Sequence, residues 1–102
     1  MAQLAIEVVE GTEPVVVHLC GELDIAVAAN VRDRVEPYLV PGRTAVADLA
    51  GLSFVDSGGL AALVDLYKIA RRSGSSFSVQ GAHDEVAFVL ELTGLNDLLS
   101  GP

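Results

Sequence analysis

The sequence predicts an α/β fold: a mixed β-sheet of about four strands, with helices mainly on one face, in the order β-β-α-β-α-β-α. Apolar residues alternate with polar ones near the N-terminus, which is the period of a strand, whereas later segments repeat apolar residues at helical spacing. Strands that alternate with helices favour parallel pairing and right-handed crossovers. Because the 102 residues contain no linker, repeat or low-complexity segment, we expect one domain over residues 1–102.

The first two strands are predicted to pair antiparallel. Leu4, Ile6 and Val8 alternate with smaller or polar residues, as in a half-buried strand. Residues 11–14 read Gly-Thr-Glu-Pro, which is typical of a turn, and a second strand follows over residues 15–20. Its continuous run of valines favours a central position in the sheet.

A first helix is predicted over residues 25–36, with Asp24 as its N-terminal cap. Pro37 should stop this helix or distort its last turn, because proline lacks the N–H that the helix requires. A third, buried strand is expected over residues 44–49, followed by a short loop. The apolar face of the helix contains Ala28, Val31 and Val35.

A second helix is predicted from the segment Asp56-Ser57-Gly58-Gly59 to about Arg72. We expect its core stripe to contain Leu60, Leu63, Val64 and Tyr67. A second apolar stripe contains Ala62, Leu66 and Ile69. Either another helix covers this second stripe, which we favour, or the stripe is a groove for a partner.

The rest of the chain is predicted to form one strand and one helix. Phe77 and Val79 point the same way in a short fourth strand, and the last helix spans about residues 84–93. Gly94 fits the left-handed position that commonly follows the end of a helix.

Composition excludes several classes of function. The net charge of −8 and the dispersed lysines and arginines argue against nucleic acid or an anionic membrane as direct partner. The charge suits a partner with a basic surface, or it only keeps the protein soluble. No apolar run approaches the roughly 20 residues that span a bilayer, and no secretory signal is evident, so we expect a cytoplasmic protein.

The potential metal ligands are scattered along the sequence. His18 and His83 have no companion at metal-ligand spacing, so neither a metal nor a cofactor is predicted. Asp48, near the end of the third strand, is expected to be a hydrogen-bonded structural carboxylate. Cys20, the single cysteine, cannot form an internal disulfide, and we expect it to be a small buried apolar residue.

The Asp56-Ser57-Gly58-Gly59 segment is the strongest candidate site. It places a hydroxyl where unpaired backbone N–H groups and the positive end of a helix dipole meet. A phosphate on Ser57 would be well tolerated there, although on local sequence alone Ser57 could simply be an N-terminal cap. Asp56 could orient the hydroxyl or contact a partner, or it could cap the loop. The glycines could serve a tight turn, the close approach of a partner, or both.

Three motifs occur along nearly the whole chain. Residues 48–60 read Asp-Leu-Ala-Gly-Leu-Ser-Phe-Val-Asp-Ser-Gly-Gly-Leu, residues 21–24 read Gly-Glu-Leu-Asp, and residues 92–95 read Leu-Thr-Gly-Leu. In this order and rough spacing they resemble the bacterial anti-sigma-factor antagonists, which are stand-alone STAS domains. That resemblance implies a small sheet with helices largely on one face.

The resemblance also implies a role for each motif residue. The position that a partner kinase phosphorylates in this family is Ser57, and the kinase is itself the anti-sigma factor. The unphosphorylated form would bind the kinase and free a sigma factor, and a PP2C-type phosphatase would reverse the phosphorylation. Gly58 stands where the family usually has Ser or Thr, which removes a second hydroxyl. The expected partner-binding residues are Glu22, Asp24, Asp56, Ser57, Gly58 and Gly59.

Two other functions compete with this one. An enzyme with Ser57 as its nucleophile is not favoured, because a hydrolase elbow requires glycine at the position of Val55 and no catalytic triad can be argued. We therefore expect no catalytic residues. The alternative that keeps the fold is an accessory STAS subunit of a transport or stressosome complex, without a kinase switch.

Overall fold

A computed structural model describes residues 4–100, so residues 1–3 and 101–102 of the expected domain lie outside the described part. Within residues 4–100, four strands and three α-helices follow one another in the predicted β-β-α-β-α-β-α order, and a fourth, short α-helix comes at the end. The elements are β1 Leu4–Val9, β2 Val15–Leu23, α1 Ile25–Val35, β3 Thr44–Val55, α2 Ser57–Ser73, β4 Ser76–Gln80, α3 Asp84–Leu92 and α4 Leu95–Leu99.

The sheet is mixed, with the spatial order β1-β2-β3-β4. β1 pairs antiparallel with β2, whereas β2 with β3 and β3 with β4 pair parallel. The predicted antiparallel hairpin, the central position of the valine-rich strand and the parallel later part of the sheet are therefore confirmed.

The core lies on one face of the sheet. Along residues 15–19 of β2 and 44–49 of β3 every second side chain is buried, and the residues between them are half-buried. Such alternation arises when helices cover only one face, which is the predicted arrangement. The buried residues of the three strands include Val15, Val17, Leu19, Ala45, Ala47, Leu49, Phe77 and Val79.

Two helices pack on this face and on each other. α1 buries Ala28, Val31 and Val35, as predicted. α2 buries Leu60 and Leu63 toward the core, whereas Val64 and Tyr67 are only half-buried. The predicted core stripe is therefore confirmed for two of its four residues.

The second apolar stripe of α2 is covered. Ala62 and Leu66 are fully buried, and Ile69 packs against the core. α1 lies beside α2, and an Arg32–Asp65 contact of 3.5 Å joins the two helices. The structural interpretation of this stripe is confirmed, and the partner-groove alternative is wrong.

The two central strands extend further than predicted. β2 continues through Leu23, and β3 continues to Val55, where a loop was expected after Leu49. The extension is paired across two register shifts, and Glu22 lies opposite Phe54. The extension depends on backbone pairing between distant segments, which local residue preferences do not predict.

The ends of the helices also refine the prediction. α1 ends at Val35, one residue before its predicted end, and Pro37 lies in the 3₁₀ turn Glu36–Tyr38 that follows. α3 stops at Leu92, and Gly94 adopts a left-handed φ of 76°, as expected. The unpredicted α4 follows and buries Leu99 completely.

Cys20 is exposed, so the prediction that it is buried is wrong. It alternates with Leu19 and therefore points to the face of the sheet that the helices leave open. Its side chain lies against Gly51, where an added Cβ would come within 2.5 Å of the sulfur.

Candidate functional site

The candidate site is built where two parallel strands end side by side and two helices begin. Leu23 ends β2 opposite Val55, the last residue of β3. The backbone N–H of Asp56 donates to the carbonyl of Leu23 at 3.1 Å. The Gly-Glu-Leu-Asp segment therefore neighbours the Asp56-Ser57 segment, and Gly21 and Glu22 lie within β2 rather than after it.

Asp56 caps one helix and also binds the start of the other. Its Oδ1 accepts the N–H of Gly59 at 2.9 Å, which is the N-terminal capping bond of α2. Its Oδ2 accepts the N–H of Ile25 at 3.2 Å, at the start of α1. Of the interpretations considered for Asp56, capping is the one that these contacts support. Asp24 caps α1 as predicted, accepting the N–H of Ala26 at 3.0 Å.

Ser57 is the first residue of α2 rather than its cap, so the capping alternative for Ser57 is wrong. Its side chain is exposed, and none of the side-chain hydrogen bonds found within residues 4–100 uses its hydroxyl. The cap bond comes from Asp56, which leaves the Ser57 hydroxyl with no structural role to lose on modification.

The first turn of α2 retains backbone N–H groups that could bind an anion. Asp56 accepts the N–H of Gly59 through its side chain and that of Leu60 through its carbonyl. The N–H groups of Ser57 and Gly58 come earlier in the helix, where no intrahelical acceptor exists. They lie at the positive end of the helix dipole. A phosphate on Ser57 could therefore accept hydrogen bonds from these N–H groups, and the dipole would partly offset its negative charge.

The two glycines are required by close packing. A Cβ at Gly59, which is buried, would lie 2.5 Å from the carbonyl oxygen of Leu23. A Cβ at Gly58 would lie 2.6 Å from the Cβ of Ile25. The Ile25 side chain thus occupies the space that a serine or threonine at position 58 would need. Partner contact by these glycines stays a prediction.

Two exposed apolar residues at this edge were missed by the sequence reasoning. The side chains of Ile25 and Phe54 are 76% and 42% exposed. Phe54 lies in register with Glu22, which is also exposed. Position 25 stands outside the apolar face predicted for α1, and position 54 was assigned to a loop. An apolar residue with no predicted burial was the signal that could have identified each of them.

The histidines lie apart from Ser57. His18 Nδ1 lies 3.0 Å from Asp48 Oδ2, and Asp48 Oδ1 accepts the N–H of Ala50, which confirms Asp48 as a hydrogen-bonded carboxylate. Seven positions of strand separate Asp48 from the end of β3, or about 20 Å. His18 therefore cannot serve Ser57 as a base.

Both ring nitrogens of His83 make hydrogen bonds. Its Nδ1 lies 3.0 Å from Asp84, and its Nε2 lies 2.6 Å from the carbonyl of Ala50. The hydrogen bond with Asp84, followed by that with Ala50, raises the pKa of His83 above its usual value. Within residues 4–100, no group of three or more His, Cys, Asp or Glu is arranged to hold a metal, and no helix is long and apolar enough to cross a membrane.

Known proteins are similar to this chain in sequence and in fold. An anti-sigma-B factor antagonist from Listeria monocytogenes is 32% identical over 98 residues, covering 94% of this chain and 86% of the relative. The intermembrane phospholipid transport system binding protein MlaB of Escherichia coli is 38% identical over 77 residues, covering 76% and 77%. The crystal structure of an anti-sigma factor antagonist from Mycobacterium paratuberculosis superposes with a TM-score of 0.82 at 23% identity, over 95% of this chain and 83% of that one.

The family model described as "Mlab, STAS domain" matches residues 6–100. This range includes both central strands and the Ser57 edge, which is formed by the ends of β2 and β3 and the starts of α1 and α2. The relatives' names describe regulatory and binding proteins rather than enzymes. This chain belongs to the STAS domain family.

Proposed function

We propose that the protein is an anti-sigma factor antagonist controlled by phosphorylation of Ser57. The unphosphorylated form binds an anti-sigma factor serine kinase in the cytoplasm, and a sigma factor is released. The kinase phosphorylates Ser57 and so ends its own inhibition, and a PP2C-type phosphatase restores the active form. In this proposal the protein is a ligand and a substrate, not a catalyst.

The observation that carries the proposal is the free hydroxyl of Ser57 beside a complete helix cap. Asp56 makes the capping bond, so modification of Ser57 breaks no hydrogen bond of the fold. Exposed Ile25 and Phe54 lie at the same edge, and apolar side chains of this kind can anchor a partner. Glu22 adds an exposed carboxylate that suits a basic partner surface.

The switch follows from charge. Phosphorylation adds about −1.5 to −2 charges at pH 7. On the free protein, the N–H groups of Ser57 and Gly58 and the surrounding water stabilise that charge. Under a bound kinase the same charge loses its water, and a buried charge without a partner costs about 3–5 kcal/mol. That energy weakens binding by about 100-fold or more, so the partner dissociates while the fold is retained.

A second function is supported by the MlaB likeness. At 38%, the identity to this transport-system protein exceeds that to the Listeria antagonist, although it covers less of the chain. In this alternative the protein is an accessory subunit of a transport or stressosome complex. The same edge would then bind a complex subunit, and Ser57 would not be phosphorylated.

The test is the intact mass of the protein after incubation with ATP and candidate anti-sigma factor kinases. We expect one phosphate on the wild type and none on Ser57→Ala. Ser53→Ala is the matched control, because Ser53 lies at the same edge but its hydroxyl already donates to the carbonyl of Gly21 at 3.1 Å. A kinase that binds the protein tightly yet adds no phosphate would contradict the switch and favour the accessory role.

A further inference from the structure

The outward face of α3 carries large apolar side chains that the Ser57 edge does not explain. Phe88 is 62% exposed and Leu92 is 73% exposed. They stand four residues apart, so they are neighbours on one side of the helix. The opposite side is the one that joins the core, through Val86 and Leu90. α3 is therefore apolar on a second side that nothing within residues 4–100 covers.

The charged side chains of α3 itself have a single sign. Asp84, Glu85 and Glu91 are exposed on this helix. No lysine or arginine occurs after Arg72 in the sequence. The α3 surface, defined as Phe88 and Leu92 with Asp84, Glu85 and Glu91, is thus an apolar centre with an acidic rim.

The α3 surface is separate from the Ser57 edge. α3 packs against β3 and follows β4, whose last paired residue is Gln80. It begins beside Ala50, whose carbonyl is bound by His83. The Ser57 edge is formed instead by the ends of β2 and β3 and the starts of α1 and α2. A molecule on α3 can therefore bind whether or not Ser57 is modified.

We propose that the α3 surface docks an amphipathic helix of another protein, with lysines or arginines flanking its apolar stripe. The apolar stripe would cover Phe88 and Leu92, and the basic residues would face Glu85 and Glu91. A second copy of this chain is a poor occupant, because pairing two such surfaces would bring carboxylates against carboxylates. An anionic membrane is disfavoured by the same repulsion.

The test is a titration of the isotope-labelled protein with a synthetic amphipathic helix of leucine and lysine, followed by amide chemical shifts. We expect saturable shifts centred on residues 84–95. The double variant Phe88→Ser with Leu92→Ser should weaken binding by about tenfold or more, because the apolar contact is lost. Both residues are exposed, so this variant should fold.

Three controls make the result specific. Ile25→Ser removes an equally exposed apolar side chain from the Ser57 edge and should leave peptide binding unchanged. A leucine and glutamate helix of the same pattern should not bind. Glu85→Gln with Glu91→Gln should weaken binding of the lysine helix without removing the apolar contact.

Two results would overturn the proposal. Shifts that never saturate, or that are equally strong in the Phe88→Ser with Leu92→Ser variant, would mean nonspecific attraction to an acidic protein. Shifts of residues 84–95 that depend on protein concentration without peptide, together with a dimer in sedimentation, would assign the surface to a second copy.

Discussion

Removing the carboxylate of Asp56 should loosen both helices that begin at the candidate site. The side chain caps α2 through Gly59 and also accepts the N–H of Ile25 in α1. Losing an N-terminal cap costs about 0.5–2 kcal/mol. Losing the second hydrogen bond adds about 1 kcal/mol. We therefore expect Asp56→Ala to lower the free energy of unfolding by roughly 1.5–3 kcal/mol.

Two variants separate these contributions. Asp56→Asn keeps one acceptor oxygen for Gly59 but offers an amide nitrogen toward Ile25, so it should lose only about 1 kcal/mol. Asp24→Ala is the matched control, because Asp24 makes a single capping bond, to Ala26, and it should also lose about 1 kcal/mol.

Urea and thermal unfolding measure these differences. For a domain of this size, 1 kcal/mol corresponds to about 4 °C or more in Tm. The Asp56→Ala variant should therefore melt roughly 6–12 °C below the wild type, and the other two variants about 4 °C below it. An Asp56→Ala protein as stable as the wild type, or no less stable than Asp24→Ala, would refute the double role of this carboxylate.

Three further predictions concern stability. Gly59→Ala should cost about 1–3 kcal/mol in urea unfolding, because its Cβ would overlap the β2 backbone; wild-type stability would contradict this packing. Leu99→Ala should lower the free energy of unfolding by about 2–5 kcal/mol, because Leu99 is fully buried. Leu98 is 38% exposed, so Leu98→Ala should lower it clearly less; equal losses would mean that α4 does not pack on the core. The pKa of His83 is raised, mainly by Asp84, so its stabilisation is present below about pH 6.5 and lost as the pH rises through the raised pKa. In urea midpoints across pH, His83→Gln should lack this decline, and an unchanged profile would exclude His83 as its source.

The order of elements and the apolar face of α1 were predictable because they depend on local periodicity. Ala28, Val31 and Val35 recur at helical spacing, and Asp24 precedes the helix at a capping position. Gly94 could be predicted too, because a left-handed residue after a helix is a local requirement. These features require no knowledge of distant residues.

The rest depends on contacts between distant parts of the chain. The pairing of Glu22 with Phe54 extends both central strands across a segment whose residues alone indicate a loop. The hydrogen bond that the N–H of Ile25 donates to Asp56 joins residues 31 positions apart, so no local motif predicts it. Exposure of Cys20 follows from which side of β2 faces the helices, and that side is set only when the sheet forms.

The measurement that tests the central claim most directly is the dissociation constant of the kinase for this protein before and after Ser57 is phosphorylated. The Tm of each form should be measured alongside. We predict binding weaker by about 100-fold or more after phosphorylation, with a Tm close to that of the unmodified protein, because the phosphate acts on the interface and not on the fold. Equal dissociation constants for the two forms would contradict the account.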